Sequence, residues 1–357
     1  MSTESTVRML DHYRQNVEAP RFLSSHFQSP ARNFHNTEDV EIDILREDEE
    51  VAVTVADITA GARLNEATKL TNKRFTPPVY KEAGPISAYR LPKRIAGANP
   101  YEDPDYQANA MVAAMEIGRK CEQKIRRGVE LMASQVLQTG TLTLKDANGD
   151  STFAMDFSPK TAHFPNAAAV WSTISSKGID DIQSLCNIIY TNGREMPTDL
   201  IMGRTAYLEF MALTQVKEYA DNRRISIVQL DRPQHRGEGA IYHGTLSAGQ
   251  YNLNLWTYAG RYKDVETGTI TEYVTPGKVI AIGNGRLDLT WGGIPTVGAL
   301  DARVLPFLPR RVSSSAGGMD LHQTAWIEKD NTALTVQVAA RPLTIPTAID
   351  TFGCLTV

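Results

Sequence analysis

Cysteine is scarce in this chain, and the few cysteines are poorly placed for pairing. Its 357 residues include only Cys121, Cys186 and Cys354, which lie far apart and are odd in number. Disulfide-dependent proteins usually carry cysteines in even numbers, and structural zinc sites carry them in closely spaced pairs. The sequence therefore argues against a disulfide framework and against a Cys-x-x-Cys metal site, and it favours a reducing cytosol.

Long apolar runs and a strong excess of one charge are also missing. No run of about 18 apolar residues occurs, and residues 1–20 contain no apolar core of signal-peptide length. Lysine and arginine total 37, aspartate and glutamate total 41, and the formal net charge is -4. Nothing in the sequence predicts a membrane location, and bulk charge does not predict strong nucleic-acid affinity.

The motifs of common enzyme classes are absent as well. There is no Gly-x-Ser-x-Gly elbow, no His-Glu-x-x-His and no Gly-x-x-x-x-Gly-Lys-Ser/Thr phosphate loop. His235 and His243 come nearest to metal-ligand spacing, but no cysteine or patterned carboxylate lies near them. We therefore predict no catalytic, cofactor-binding or metal site. A hydrolase with dispersed catalytic residues stays open as an alternative.

The most informative feature that is present is one very long helix. Asp103 followed by Pro104 is typical of an N-cap with proline at the first helical position. No further proline occurs up to Thr139, and Gly140 is a natural stop. The predicted helix, residues 103–139, would be about 50 Å long. Apolar residues at spacings of three and four predict one buried stripe along it: Met111, Ala114, Met115, Gly118, Cys121, Ile125, Val129, Met132 and Val136.

Two segments of opposite charge precede this helix. Glu38 to Glu50 contains eight acidic residues against the single Arg46, and Lys69 to Arg94 contains seven basic residues against the single Glu82. Four prolines discourage helix in the basic segment. Such a segment can be a solvated loop, a nucleic-acid arm or a flap on a partner. We favour the flap, because few aromatic residues are available for stacking on bases.

The rest of the chain predicts a mixture of helices and strands. Residues 1–37 have no sustained period, and we interpret them as an arm that is ordered mainly by lying on other chains, with a partly disordered terminus as the alternative. Asn148-Gly149 predicts a hairpin. The predicted elements are strands at 51–56, 141–144, 152–157, 199–203, 251–258, 269–275, 278–282 and 333–340, helices at 178–190 and 205–219, and a loop at 313–318.

Several short motifs resemble one protein family in their order along the chain. They are Arg90-Leu91-Pro92 before Asp103-Pro104-x-Tyr106, Val216-Lys217-Glu218 with Asn222-Arg223-Arg224, Tyr242-x-Gly244, Tyr258-x-Gly260-x-Tyr262 and Ile282-Gly283-Asn284. Together they resemble the lambda-type major capsid proteins of tailed bacteriophages, the capsid protein E family, over roughly residues 40 to 357.

This resemblance implies an α+β chain with the Hong Kong ninety-seven capsid fold. By position, residues 1–37 would be the N-terminal arm and residues 38–99 the extended flap called the E-loop. Residues 100–199 would form the peripheral domain with spine helix 103–139. Residues 200–300 would be mainly the axial domain, and residues 301–357 would return to the peripheral domain.

The resemblance also implies a function and a set of partners. The chain would assemble into hexamers and pentamers that form an icosahedral head shell around double-stranded DNA, bound without sequence specificity. Its other partners would be a portal, a scaffold protein and a decoration protein. It would lie in the virion capsid after assembly in the host cytoplasm. An encapsulin-like nanocompartment, which uses the same fold, is the main alternative.

One hypothesis goes beyond the resemblance and concerns the two charged segments. We predict that the basic segment, Lys69 to Arg94, lies on an acidic segment of an adjacent subunit, with Glu38 to Glu50 as the leading candidate. Exposed ion pairs are worth only about 0–1 kcal/mol each, so they would set register and salt sensitivity more than affinity. The candidate contact residues are Lys69, Lys73, Arg74, Lys81, Arg90, Lys93 and Arg94 on the basic side, and Glu47, Asp48, Glu49 and Glu50 on the acidic side.

Overall fold

The computed structural model describes residues 18–30, 33–34, 40–45, 70–90, 106–146, 149–221, 228–235, 239–285, 287–294, 320–328 and 332–357. Within them the α-helices are α1 (Tyr106–Thr139), α2 (Gly178–Gly193), α3 (Arg204–Ala212) and α4 (Thr214–Asp221). The strands are β1 (Val40–Leu45), β2 (Leu70–Phe75), β3 (Tyr80–Ser87), β4 (Thr141–Lys145), β5 (Ser151–Asp156), β6 (Pro197–Met202), β7 (Val228–His235), β8 (Ala240–Ala248), β9 (Tyr251–Tyr258), β10 (Arg261–Lys263), β11 (Ile270–Glu272), β12 (Lys278–Gly283), β13 (Asp288–Trp291), β14 (His322–Ile327), β15 (Ala333–Ala340), β16 (Pro342–Ile345) and β17 (Phe352–Thr356).

The long predicted helix is present as α1, which has 34 residues. Its predicted cap, Asp103-Pro104, lies outside the described residues. Its end is as predicted: the backbone turns at Gly140 with φ +66°, a conformation that favours glycine. At about 1.5 Å per residue α1 is about 50 Å long.

The buried stripe of α1 is confirmed only in part. Ala114, Gly118, Cys121, Ile125, Val129, Met132 and Val136 are buried. Met111 and Met115 are 40% and 44% exposed, so the prediction is wrong for these two residues. In this half of the helix the buried contacts are made by Ala114 with Ile86 of β3 and Val336 of β15. Spacing alone could not tell which apolar residues of the helix the sheet covers.

An antiparallel three-stranded sheet, ordered β14-β15-β3, packs against α1. The contact is close because two glycines lie where the layers meet. A Cβ atom on Gly84 would lie 2.7 Å from Ile117 Cγ2, and one on Gly128 would lie 3.2 Å from the ring of Tyr80. Small residues at these two positions let the sheet and the helix approach.

A six-stranded sheet, ordered β17-β12-β6-β9-β8-β7, forms the centre of the structure. Its strand pairs are antiparallel except β6 with β9, which is parallel. Alternate residues of a strand face opposite sides. On β12, Ile280 and Ile282 join the core that contains α1, while Val279 and Ala281 join the core that contains α2, α3 and α4. The sheet therefore lies between α1 on one face and three shorter helices on the other.

The C-terminal residues contribute to both sheets. β14 and β15 lie in the sheet that packs on α1, whereas β17 forms an edge of the six-stranded sheet beside β12. The division into arm, E-loop, peripheral and axial domains stays a prediction.

The local predictions have mixed outcomes. The hairpin around Asn148-Gly149 is confirmed as β4 and β5, and the helix at 178–190 is confirmed within α2. The helix predicted at 205–219 is broken at Leu213, whose ψ is 139°. The break lets fully buried Leu213 enter the core and lets the Thr214 N–H donate to the Ile174 carbonyl at 3.0 Å.

The strand predicted at 269–275 is shorter than expected. Only Ile270–Glu272 pairs as β11. Beyond it the backbone bonds to a side chain of α1: Gln138 Nε2 donates to the Tyr273 carbonyl at 2.8 Å, and Gln138 Oε1 accepts the Thr275 N–H at 3.1 Å. The strand predicted at 51–56 and the loop predicted at 313–318 lie outside the described residues.

Candidate assembly surfaces

The two charged segments meet in a hairpin of one chain. β1, from the acidic segment, pairs antiparallel with β2, from the basic segment, and Glu41 lies opposite Arg74. These strands form a two-stranded sheet that no other described strand extends. For residues 40–45, therefore, one backbone partner is the basic segment of the same chain.

The predicted contact residues are only partly placed. Lys73 and Arg74 lie on β2, Lys81 is exposed on β3, and Arg90 ends a 3₁₀ turn that starts at Ala88. The remaining predicted residues lie outside the described part of the chain: Lys69, Lys93, Arg94, Glu47, Asp48, Glu49 and Glu50. Their contact with another subunit stays a prediction.

A buried arginine holds the chain where it leaves this hairpin. Arg341, between β15 and β16, is 5% exposed. Its Nε and Nη2 donate to the Pro77 carbonyl at 3.4 and 3.3 Å, and its Nη1 donates to the Gly293 carbonyl at 3.1 Å. The root of the predicted flap is thus bonded to the body of the subunit. The sequence signal was weak: Arg341 is the single basic residue of residues 332–357.

The basic residues on the surface of α1 have acidic partners in the same chain. Lys124 Nζ lies 2.9 Å from Glu82, and Arg126 contacts both Glu122 and Asp320, at 3.0 and 3.1 Å. Glu82, the one acid of the basic segment, therefore joins β3 to the helix. Because these charges are compensated, this part of α1 is not an unopposed positive surface for DNA.

The described arm residues, 18–30, 33 and 34, dock on the same chain, whereas residues 1–17 lie outside the described part and their contact with other chains stays a prediction. In residues 18–34, Leu23 and Phe27 belong to the main core, and Phe22 packs on Trp256 and Tyr258 of β9 with ring centroids 5.3 Å apart in each case. Burial of these side chains explains the docking. The aromatic residues were visible in the sequence, but their partners lie more than 200 positions away.

A second anchor holds the arm on β13. Asn33 Nδ2 donates to the Asp288 carboxylate at 3.0 Å, and Phe34 stacks on Trp291 with centroids 6.4 Å apart. The Trp291 indole N–H donates to the Ser29 hydroxyl at 3.0 Å. The arm is therefore held at two separate places.

Two ionisable groups lie at the first anchor, the fully buried Glu130 and the partly buried His26. Burial raises the pKa of Glu130 above its ordinary value, while hydrogen bonds from Tyr258 and from the arm act in the opposite direction. Burial lowers the pKa of His26, and the nearby Asp199 opposes this shift. Neither residue drew attention in the sequence, because both were single polar residues among others.

Large apolar side chains are exposed at two further places. Val265 and Ile270, at the β10–β11 turn, are 75% and 71% exposed, and Val112 is exposed beside Met111 and Met115 on α1. Asp264 holds the turn rigid by accepting hydrogen bonds from the Glu266 N–H and the Thr267 hydroxyl. Exposed apolar side chains of this size are candidates for contacts between subunits.

Groups that could form a metal site or an active site are few among the described residues. In the described ranges no group of three His, Cys, Asp or Glu residues could hold a metal ion. His243 is buried and hydrogen-bonded to Tyr207 and Thr257 at 3.1 and 2.8 Å, and the side chain of His235 lies outside the description. All three cysteines are buried and unpaired. None of the helices in this part of the chain combines the length and apolar character that crossing a bilayer requires.

Comparison with known proteins gives one family and a consistent fold. The model of the family described as phage major capsid protein E matches residues 5–357. A search of curated protein sequences gives no significant match.

Among solved structures, a prophage capsid protein from E. coli CFT073 matches with a TM-score of 0.61 at 16% identity, covering 94% of this chain and 97% of that one. The Gordonia phage Cozz structure matches with a TM-score of 0.50 at 9% identity, covering 97% of this chain and 89% of the other. The SrpI encapsulin of Synechococcus elongatus PCC 7942 gives a TM-score of 0.46 at 9% identity, covering 98% and 91%, which is too low to argue from. These matches establish the fold alone: the predicted α+β fold, that of Hong Kong ninety-seven capsid proteins, is confirmed.

Proposed function

Since the chain belongs to the phage major capsid protein E family, we propose that it forms hexamers and pentamers that close into the icosahedral head shell of a tailed phage around double-stranded DNA. The family is one of structural capsid proteins, so the chain is a shell subunit whose partners are copies of itself and whose location is the virion capsid. This favours the phage shell over a nanocompartment or a hydrolase.

The β1–β2 hairpin is the observation that carries the flap part of this proposal. An isolated two-stranded hairpin is marginally stable in water and needs another surface to cover it. Here the hairpin forms its own small sheet, and Arg341 fixes the chain just beyond it to the body. A hairpin that is fixed at its root and pairs with no other described strand is suited to lie on a neighbouring subunit.

The shape of the subunit supports the same assignment. A curved shell needs subunits that cover area thinly. Helix α1 is about 50 Å long, and a sheet packs along part of its length. This arrangement gives the subunit an extended body. Exposed apolar residues on α1 and at the β10–β11 turn supply surfaces for further contacts.

Within this function we assign the remaining partners by class. Packaged DNA would contact the inside of the shell without sequence specificity, since the net charge of -4 provides no general attraction. A portal, a scaffold protein and a decoration protein would complete the head, and assembly would take place in the host cytoplasm. The basic segment would contact the acidic residues 47–50 of an adjacent subunit.

Electron microscopy of the purified chain tests the main proposal. Shells, or rings of five and six subunits, are the expected result. A small compact oligomer under all assembly conditions, including with co-expressed scaffold, would count against it.

Charge reversal tests the contact of the basic segment. Lys93→Glu with Arg94→Glu should raise the protein concentration needed for assembly at least several-fold and change its salt dependence, since repulsion replaces attraction. The matched control is Lys217→Glu with Lys263→Glu, two exposed lysines on α4 and β10. If both double variants assemble like the unmodified chain at every salt concentration, the charged contact does not exist.

A further inference from the structure

The carboxylate of Glu130 joins three parts of the subunit at one point. Glu130 lies on α1 and is 0% exposed. It accepts the Leu23 N–H at 2.8 Å and the Ser24 N–H at 2.9 Å, both from the arm. It also accepts the Tyr258 hydroxyl of β9 at 2.7 Å. One side chain therefore links the arm, the long helix and the six-stranded sheet.

The donors that Glu130 binds have no other role in the local backbone. Ser24–His26 is a single 3₁₀ turn that follows Leu23, and the first N–H groups of a helical turn lack partners within it. The side chain of Leu23, the N-cap residue, makes no capping hydrogen bond to this turn. Glu130 supplies the missing acceptors from a position 106 residues further along the chain.

A carboxylate is a costly choice at a buried position. Burying a charge without an opposite charge carries a penalty of several kcal/mol. Within the described part of the chain no lysine or arginine pairs with Glu130, and the groups that donate to it there are neutral. An apolar residue would fill this buried position of α1 without that penalty. Unlike an apolar residue, the carboxylate provides hydrogen-bond acceptors for the Leu23 and Ser24 N–H groups of the arm.

We propose that Glu130 is a positioning residue that clamps arm residues 18–30 onto their own subunit, and that this clamp can open while the rest of the subunit stays folded. The clamp decides whether residues 18–30 lie on their own subunit or are free to contact a neighbouring copy. Correct shell assembly then depends on the clamp.

A neutral substitute separates this role from ordinary core packing. Glu130→Gln keeps the shape of the side chain and removes the buried charge, so the body should lose no stability. It also turns one acceptor oxygen into an NH₂ donor that faces other donors. At least one arm N–H then loses its acceptor, and the arm should open at least about tenfold more often.

Limited trypsin digestion of the unassembled, full-length subunit measures the opening. Arg21 is exposed, and the peptide bond after it leads directly into the clamped residues Phe22 to Ser24. Glu130→Gln should raise the rate of cleavage after Arg21 at least about tenfold, without a fall in Tm. Mass spectrometry of the digest measures this cleavage. Glu116→Gln is the control and should leave the rate unchanged, because Glu116 is partly exposed on α1 and pairs with Lys120 at 3.8 Å.

A second variant keeps the test decisive if Glu130→Gln does not fold. Tyr258→Phe removes one hydrogen bond from the carboxylate and leaves both arm N–H groups in place. It should give a smaller increase in the same cleavage. Equal cleavage rates in all variants, or an increase that only follows a lower Tm, would overturn the clamp.

The assembly readout is separate from the cleavage readout. Shells that form normally from a Glu130→Gln subunit with a released arm would overturn the role in assembly. This part rests on the proposed function, whereas cleavage and Tm are measured on the free subunit. Absence of shells from the unmodified chain would count against the proposed function and leave the clamp standing.

Discussion

Two glycines on α1 should respond in opposite directions to the same substitution. Gly118 and Gly128 both lie in the helix interior. No described atom lies within 4 Å of a Cβ built on Gly118, whereas a Cβ on Gly128 would lie 3.2 to 3.4 Å from three atoms of the Tyr80 ring. One position has room for a methyl group, and the other requires the ring to move.

The magnitudes follow from helix propensity and packing. Alanine is favoured over glycine in a helix interior by about 0.8–1.0 kcal/mol, so Gly118→Ala should stabilise the free subunit by about that amount. Gly128→Ala gains the same propensity but overpacks against Tyr80, at a cost of about 1–3 kcal/mol. The net effect of Gly128→Ala should be a loss of about 0–2 kcal/mol in the free energy of unfolding.

Urea unfolding of the unassembled subunit measures both variants against the unmodified chain. A higher midpoint for Gly118→Ala and an equal or lower midpoint for Gly128→Ala, with unchanged slopes, are the expected results. Equal stabilisation by both substitutions would refute the close packing of β3 on α1. Destabilisation by Gly118→Ala would refute the open space around that residue.

Two further predictions concern the core and the pH response. Met132→Ala should lower the free energy of unfolding by about 2–5 kcal/mol, because Met132 is fully buried in the core between α1 and the six-stranded sheet. Urea unfolding measures this loss. Met196→Ala, at an exposed methionine, is the control and should change the stability little. Burial lowers the pKa of His243, so the unfolded chain binds more protons as the pH falls through about 6.5. The subunit should therefore keep its full stability above this pH and lose stability below it. His243→Gln should make the urea midpoint less dependent on pH between 7.5 and 5.5. An unchanged dependence would contradict the assignment of this pH response to His243.

Local signals in the sequence predicted the elements that short-range physics controls. Proline-free apolar periodicity and Gly140 predicted α1, and Asn148-Gly149 predicted the hairpin of β4 and β5. These outcomes depend on residues within a few positions of each other, since backbone preference and turn geometry are local. The same information failed at Leu213, where burial of one side chain broke a helix that periodicity favoured.

The candidate surfaces were less predictable because they depend on distant partners. The charge pattern predicted that the acidic and basic segments belong together, but not that β1 and β2 pair within one chain. Arg341 gave only a weak signal, because its acceptors are the carbonyls of Pro77 and Gly293 and not a patterned set of residues. The exposure of Met111 and Met115 likewise depends on where the sheet ends.

The sequence by itself determined that the chain is an α+β protein with one long helix, two oppositely charged segments and the ordered motifs of a phage capsid family. Those properties follow from composition, local backbone preference and motif order, which the chain carries in any conformation. Only the tertiary structure decided that arm residues 18–30 lie on their own subunit and that Glu130 binds them there. A buried carboxylate acquires its role from donors 106 and 128 positions away, and folding alone brings those donors within 2.9 Å.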